Sequence, residues 1–467
     1  MTRPKQNFKT QNSGSMPARM LAVFALNSFH KDNVEILSDD FLQKTRERQR
    51  ATDLIYGAIR NQTAIDFAIT AFAGCPVKRI QPKIINIIRI AAYELIYCPQ
   101  TPVYSIVNEA VETAKKTAGK KQASFVNSCL RKISSHITNR QIPLTGKDSA
   151  KILPQNTSTG CLFDSDFLPD SRTKSADYLS SVFSIPNWLI SGWLEQFGPE
   201  QTKQICLASN RRPSIYLRTN ILKTTVKELA EKLKNANLDF QVIDDLFIQI
   251  KSPKQITQLP GFSDGLFTIQ DPAASIAVNG LAPRQEAKIL DLCAAPGTKT
   301  AQLAQITNDN SKIFATDIDS SKLPLIEQNI KRLNLKSITT FKYNDLQKIV
   351  DSFGLFDYIL LDVPCSNTAV LARRPEVRLR ITEKAIETLA SRQLELLQKA
   401  SSLVNQKGKI CYSTCSLQLQ ENNLLIKKFL DNDKNFLLET EKLTLPSAVF
   451  PDHDGSYTAI LKKNSTS

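Results

Sequence analysis

Between Pro17 and about Arg140, apolar residues recur at steps of three and four. The segments ARMLAVFALNSF, RATDLIYGAIRNQTAIDFAITAFA, PKIINIIRIAAYELIYC, VYSIVNEAVETAKKTA and ASFVNSCLRKI all show this spacing, which places one apolar stripe along a helix. Little of this stretch alternates with period two, so an all-α domain of about five to seven helices is predicted, punctuated by Pro76, Pro82, Pro99 and Pro102. Residues 141–180 are rich in Ser, Thr, Asn, Asp and Pro and hold no sustained period, which reads as a partly mobile linker. From Ile185 to Asn279 two amphipathic helices precede a strand (SIYLRTN, 214–220), a helix (224–237) and the strand-like DFQVID, LFIQI and LFTIQ; this order suits a small α+β module.

From Ala287 to Lys463 the pattern alternates between strand and helix. The strands read as 288–293, 312–319, 338–345, 356–364 and 408–415, with amphipathic helices between them, and YTAILKK reads as an edge strand. Near-continuous apolar strands with crossover helices predict a mostly parallel sheet covered on both faces.

Composition adds a partner. The 467 residues carry a net charge of +15, and the first 145 hold 21 Lys and Arg against 10 Asp and Glu. A basic field of this kind favours a polyanion, and the first third is the better candidate for docking nucleic acid. No run of 18 apolar residues suggests a membrane span, and the polar start MTRPKQNFKTQNSGS lacks the apolar segment of a signal peptide. Nine scattered cysteines, no CxxC, and His30, His136 and His453 far apart in sequence argue for reduced thiols in a cytoplasmic protein without a zinc site. A monomer is expected.

The candidate chemistry lies where the strands end, since ligands of such sheets bind beyond the C-terminal strand ends. The first strand runs into the small-residue turn Cys293-Ala294-Ala295-Pro296-Gly297, followed by Thr298 and Lys299 at a predicted helix start. That arrangement lets a ligand approach the backbone and the free N–H groups of a helix N-terminus. The second strand ends at Asp317, which can accept from both hydroxyls of a ribose, and the third at Asp345, suited to an exocyclic amine. The fourth ends in Asp362-Val363-Pro364-Cys365 and the fifth in Ser413-Thr414-Cys415-Ser416. The turn has neither GxxxxGK[ST] nor GxGxxG, and its surroundings are acidic. A cationic nucleoside, S-adenosylmethionine, therefore fits better than a dinucleotide.

Two cysteines beside such a site suit methylation of cytosine. Carbon 5 of that base is a poor nucleophile until a thiolate adds to carbon 6. One cysteine would attack and the other assist elimination and release. Asp362 would favour protonation at N3.

DLCAAPGTKT (291–300), DVPCSNTAVLARRPEVR (362–378) and YSTCSLQLQEN (412–422) together resemble the bacterial RsmB (Fmu/Sun) family of RNA cytosine-5 methyltransferases. The N-terminal third resembles the RNA-binding NusB-like domain through DLIYGAIRN (53–61), IRIAAYELIY (88–97), VNEAVETAK (107–115) and FVNSCLRKI (125–133). Between a polar tail (1–15), which reads as disordered, and the linker (141–180), which is longer than the resemblance leads one to expect, the resemblance implies a NusB-like RNA-binding domain (16–140). After the linker it implies an RRM-like α+β module (181–280), here without an aromatic stacking signature, and a Rossmann-like methyltransferase domain (281–467). It makes Cys415 the nucleophile and Cys365 the release cysteine; in DNA cytosine methylases the roles are reversed. It maps the methyl-donor site onto residues 293–299, Asp317, Asp345 and Asp362, and implies a cytosine of small-subunit ribosomal RNA as substrate.

The chain departs from the family pattern at several points. Thr298 stands where Gly is expected, Asn367 and Ala369 replace small or Gly residues, and Arg374 replaces a usual His. An aromatic expected after Asp454-Gly455 is missing. These departures favour a competing reading, a non-catalytic RNA-binding or ribosome assembly factor on a retired methylase fold. The intact Cys415 and Asp362 oppose it.

Overall fold

The computed structural model describes residues 15–29, 39–146, 148–251 and 255–465. The expected N-terminal tail, apart from its last residue, and His30 lie outside that set. The chain divides into two compact units, 1–196 and 197–467.

The first unit is built on helices α1 (Ala18–Ser28), α2 (Asp39–Leu42), α3 (Arg48–Arg60), α4 (Gln62–Phe72), α5 (Pro82–Tyr97), α6 (Val103–Ala118) and α7 (Lys120–Ser135). Helix α5 begins with Pro82 at its first turn, where no N–H partner is lost. It is buried on most sides, from Ile84 to Ile96, and so forms the centre of the bundle. Inside, Arg19 pairs with Glu94 at 2.5 and 2.8 Å, a buried bidentate contact that leaves neither charge bare.

The expected linker is a correction. Strands β1 (Ile137–Pro143), β2 (Ile152–Pro154) and β3 (Thr159–Phe163) form an antiparallel sheet in the order β1-β3-β2, followed by α8 (Ser175–Phe183). The Arg140 guanidinium anchors this sheet. It donates to the carbonyls of Glu94, Leu95, Cys98, Pro99 and Thr101, which cap the end of α5. Leu153, Cys161 and Phe163 are buried beneath it. The strands are too short, and their burial too irregular, to have shown a period.

Helix α9 (Asn187–Asn210) is broken at Gly198, where φ is 75°. The second unit then opens with a small sheet of β4 (Ile215–Thr219), β5 (Phe240–Val242), β6 (Phe247–Ile250) and β7 (Phe267–Ile269) in antiparallel order β5-β6-β4-β7. Helix α10 (Val226–Asn235), started by a Thr225/Glu228 capping box, packs Leu229 and Leu233 against Leu217, Ile248 and Phe267. Tyr216, Phe247 and Phe267 are buried.

Helix α11 (Pro272–Leu281) leads into the larger layer structure. Its strands are β8 (Lys288–Asp291), β9 (Lys312–Ala315), β10 (Ile338–Thr340), β11 (Phe356–Asp362), β12 (Val404–Thr414), β13 (Phe436–Thr444) and β14 (Ser456–Lys463). Its helices are α12 (Thr298–Ile306), α13 (Leu323–Leu333), α14 (Leu346–Phe353), α15 (Val377–Arg380), α16 (Glu383–Leu403) and α17 (Asn423–Asn432). The strand order is β10-β9-β8-β11-β12-β14-β13. Strands β8 to β12 pair in parallel, whereas β14 is antiparallel to both its neighbours. The sheet is therefore mostly parallel, as the apolar pattern predicted, with residues of both faces buried in two core clusters.

One strand assignment is corrected. The segment YTAILKK lies inside the sheet, in β14, and β13 forms that edge. Strand β13 shows mostly exposed side chains from Leu437 to Lys442, so it leaves no hydrophobic alternation to read. Charged side chains suit such an edge, which would otherwise invite pairing with another chain. Among the described residues, no helix is long and apolar enough to cross a membrane.

Candidate active site

The direction of strand order reverses at β8, which lies between β9 and β11. A crevice beyond the strand ends is expected there, and a cavity of about 330 Å³ occupies it. Cys293, Ala294, Ala295, Pro296, Thr298, Lys299 and Asp362 line this cavity, so most of the predicted donor turn faces it. Gly297 is not among its lining residues. It takes φ 94° and lies so close to α13 that an added Cβ would meet Ile326 at 3.1 Å. The turn thus bends at Gly297, and Thr298 begins α12 in ordinary helical conformation. The departure at 298 consequently places no β-branched residue in a strained backbone.

Asp317 follows β9, and its carboxylate accepts from the backbone N–H of Ala295 at 3.2 Å and of Asp319 at 3.0 Å. It ties the second strand end to the donor turn. Asp345 is farther along than predicted. Strand β10 stops at Thr340, and Asp345 closes a short helical turn where it accepts from Lys348 at 2.8 Å. That contact holds its carboxyl below the usual range. Neither Asp317 nor Asp345 lines the cavity.

The far wall comes from residues that sequence reasoning did not single out. Gln270 and Asp271 follow β7, Arg373 lies after β11, and Asp454 precedes β14. Arg373 donates to Asp271 at 2.9 Å and also pairs with Asp454. Arg211 shares Asp454 with it, at 2.7 Å, and also pairs with Asp452 at 2.8 Å. These partners are separated by up to 243 residues, so no local pattern could have signalled them.

At the cavity floor Asp291 is buried. Its Oδ2 accepts from Thr300 Oγ1 at 2.6 Å, while Oδ1 has no hydrogen-bond partner. Burial raises its pKa to about 7, Thr300 opposes the shift, and Asp362 adds to it. Lys299 ion-pairs with Asp362, which also accepts from Ser413 Oγ at 2.6 Å. Burial alone would lower the Lys299 pKa, but the Asp362 carboxylate more than offsets this and the ammonium ends above its usual value. Four carboxylates (Asp271, Asp291, Asp362, Asp454) thus border the cavity against two cations (Lys299, Arg373). An unpartnered buried carboxylate oxygen and an acidic wall fit a sulfonium cation.

The two cysteines meet beside this floor. Strands β11 and β12 are in register, Asp362 opposite Ser413, so the segments following them emerge together. The sulfurs of Cys365 and Cys415 are 3.0 Å apart, and the Cys415 N–H donates to Cys365 Sγ at 3.3 Å. The hydrogen bond to Cys415, together with burial, pushes the Cys365 thiol well above its usual pKa. Cys365 therefore keeps its proton and can donate it. Asn367, at φ 61°, accepts from the Cys415 thiol at 3.2 Å and donates to the Cys365 carbonyl at 2.8 Å. Asparagine is the side chain that best tolerates this left-handed region after glycine.

Glu421 locks the two loops together. Its carboxylate accepts from Ser366 N at 2.8 Å, from the hydroxyls of Ser366 and Ser416 at 2.5 Å each, and from Gln393 Nε2 at 2.9 Å. Ser366 and Ser416 each directly follow a cysteine. The sequence held this residue within YSTCSLQLQEN but gave no sign of its role.

With this geometry in place, comparison with known proteins is specific. The family profile described as 16S rRNA methyltransferase RsmB/F matches residues 278–460, the NusB family profile residues 16–135, and the RsmF/B-like ferredoxin-like domain residues 185–257. A probable ribosomal RNA small subunit methyltransferase B of Synechocystis sp. is 31% identical over 96% of this chain and 99% of its own. The ribosomal RNA small subunit methyltransferase B of Escherichia coli O1:K1 is 30% identical over 90% of this chain and 92% of its own. A solved methyltransferase homolog protein from Pyrococcus horikoshii, 24% identical, shares the fold with a TM-score of 0.54, covering 62% of this chain and 99% of that one. The architecture is accordingly a NusB-like helical domain, a ferredoxin-like α+β module and a Rossmann-like methyltransferase domain. The methyl donor is S-adenosylmethionine. Against the reading of a non-catalytic assembly factor, the chain belongs to the ribosomal RNA small subunit methyltransferase B family and is an rRNA methyltransferase.

Proposed function

We propose that the protein methylates carbon 5 of a cytosine in small-subunit ribosomal RNA through a covalent bond between Cys415 and carbon 6 of the base. The observation that carries this reading is the pair of thiols 3.0 Å apart at adjacent strand ends, beside the Lys299–Asp362 pair. S-adenosylmethionine supplies an electrophilic methyl group.

Cys415 Sγ adds to carbon 6, and N3 takes up a proton, so that the thiol hydrogen is in effect transferred across the ring. Asp362 accepts hydrogen bonds from the protonated N3 and the amino group, which favours that form; the ion pair with Lys299 keeps its carboxylate aimed. Carbon 5, now enamine-like, attacks the methyl carbon. Water takes the carbon 5 proton, and the electron pair left behind re-forms the carbon 5–carbon 6 double bond as the carbon 6–sulfur bond breaks. The proton held at N3 is given up to restore the thiol pair. The Cys365 thiol donates to the departing sulfur of Cys415 and so assists release. On the donor side, the turn of residues 293–299 receives the donor, Asp317 fixes that turn through Ala295 and offers its carboxylate to the ribose, and Asp345 accepts from the adenine amine.

Incubation with radiolabelled S-adenosylmethionine and unmethylated small-subunit rRNA, followed by digestion to nucleosides, tests the reading. The label should appear in 5-methylcytidine. A label found in any other nucleoside, or no transfer, overturns it.

A further inference from the structure

One concave surface of the first unit is remote in sequence from the catalytic cysteines. It is a groove of about 1310 Å³ between α6 and α7. The two helices pack closely and are joined by a single residue, Gly119, at φ 96°. Tyr104, Lys115, Lys120, Asn127, Arg131 and Lys132 supply its polar and aromatic lining over an apolar floor, and no carboxylate lines it.

The charge is unbalanced for a structural reason. Helix α7 contains Lys120, Lys121, Arg131 and Lys132 and no acidic residue. The acids of α6 are already paired: Glu109 with Arg19, away from the groove lining, and Glu112 with Lys115 at 3.4 Å, which leaves Lys115 the neutralised cation of that lining. Among the described residues, Lys120, Arg131 and Lys132 have no carboxylate partner, and Arg131 is steadied by donation to Asn127 Oδ1 at 3.2 Å. Tyr104 is 79% exposed on the same surface, although its neighbour Ile106 is fully buried. An aromatic ring held out to solvent on a groove that also carries a guanidinium and two ammonium groups without carboxylate partners is the combination that binds single-stranded nucleic acid. Bases stack on the ring and phosphates meet the cations.

We propose that the α6–α7 groove is a docking site for a single-stranded segment of the substrate rRNA, outside the target cytosine, with Tyr104 stacking a base and Lys120, Arg131 and Lys132 contacting the backbone. This rests on rRNA being the substrate but not on cytosine chemistry. A neutral or basic peptide would leave the three cations uncompensated, an acidic peptide would bring no base to stack on Tyr104, and a flat anionic surface would not use the groove.

The test uses the full chain and unmethylated small-subunit rRNA as an in vitro transcript. One variant is the triple Lys120→Gln/Arg131→Gln/Lys132→Gln and another is Tyr104→Ala. The triple variant should weaken RNA binding at least tenfold near physiological salt. It should also make the slope of log K against log salt shallower by about two, since each contact to single-stranded phosphate contributes roughly 0.7. Tyr104→Ala should weaken binding about 5- to 100-fold with the slope unchanged. Both should bind S-adenosylmethionine as the parent does, and both should reach the parent methylation rate at saturating RNA. Parental RNA affinity and slope in the triple variant overturn the proposal. So does loss of binding to protein-containing ribosomal particles alone, which would assign the groove to a protein. If the parent binds rRNA through this groove but gives no 5-methylcytidine, the catalytic reading fails and the groove stands.

Discussion

The sulfur of Cys365 lies 3.0 Å from that of Cys415, and the Asn367 amide oxygen accepts from the Cys415 thiol at 3.2 Å. One thiol is thus fixed by two neighbours, and the other is kept protonated toward it. This asymmetry separates attack from release. Cys415→Ala should abolish the covalent RNA adduct on denaturing gels and lower turnover by about three orders of magnitude or more. Cys365→Ala should still form the adduct and accumulate it in the presence of S-adenosylmethionine, because release loses its proton donor. The opposite pattern would mean the two roles are exchanged.

Glu421 offers a sharper test of preorganisation, since it is fully buried and is not among the residues that line the cavity. It gathers four donors from the two cysteine loops and from α16. Glu421→Ala strands those groups in a buried site and should cost about 3 kcal/mol in chemical unfolding. Glu421→Gln keeps the volume but brings an N–H₂ group where an acceptor stood. Its adduct-formation rate at saturating substrates should fall at least tenfold while the Kd for S-adenosylmethionine stays unchanged. Equal losses in both quantities would indicate general collapse of the site instead.

Asp291 gives the site a pH dependence with a definite sign. Its buried carboxyl has a pKa raised to about 7, with one oxygen unpartnered. A raised acid binds more protons folded than unfolded, so its favourable contribution is present at low pH and lost as pH rises through about 4 to 7. The shift of about three pH units corresponds to roughly 4 kcal/mol at most. Asp291→Asn should therefore gain stability relative to the parent as pH rises across that interval. Donor binding should run the other way. A sulfonium cation favours the ionised acid, so the parent should bind S-adenosylmethionine more tightly as pH rises through about 7, releasing protons measurable by calorimetry in buffers of different ionisation enthalpy. Asp291→Asn should flatten that profile. A parent profile without this dependence would mean that the carboxyl does not sense the donor.

How much of this was legible beforehand depends on the range of the interactions. Helix α5 announced itself by apolar residues at helical spacing, and strands β8 and β11 by near-continuous apolar runs. The sheet after α7 did not, because what makes it ordered is Arg140 meeting carbonyls about 40 residues earlier. Strand β13 did not, because its edge position leaves it polar. The two cysteines and the donor turn were readable from chemistry at strand ends. By contrast, the Asp271–Arg373–Asp454 wall depends on contacts that only the folded chain creates. Thr298 looked out of place in sequence, and there backbone conformation decides the matter.

The two adjacent positions of the donor turn differ in what they can accept. Gly297 has φ 94°, and a Cβ there would approach the Cγ2 of Ile326 at 3.1 Å and its backbone Cα at 3.3 Å. Gly297→Ala combines left-handed strain of about 1–2 kcal/mol with a clash against the packed helix α13. The turn must shift, and with it the backbone of Ala295 that Asp317 holds at 3.2 Å. Its Kd for S-adenosylmethionine should rise at least tenfold. Thr298 already has helical angles at the first position of α12, and its carbonyl accepts from the buried Arg218 at 3.3 Å. Thr298→Gly should therefore keep the donor Kd within about threefold and cost about 1 kcal/mol of stability, the ordinary penalty of glycine in a helix. Fluorescence or calorimetric titration of both variants decides between the positions. A tighter donor Kd in Thr298→Gly, with Gly297→Ala unaffected, would place the glycine requirement of this turn at 298.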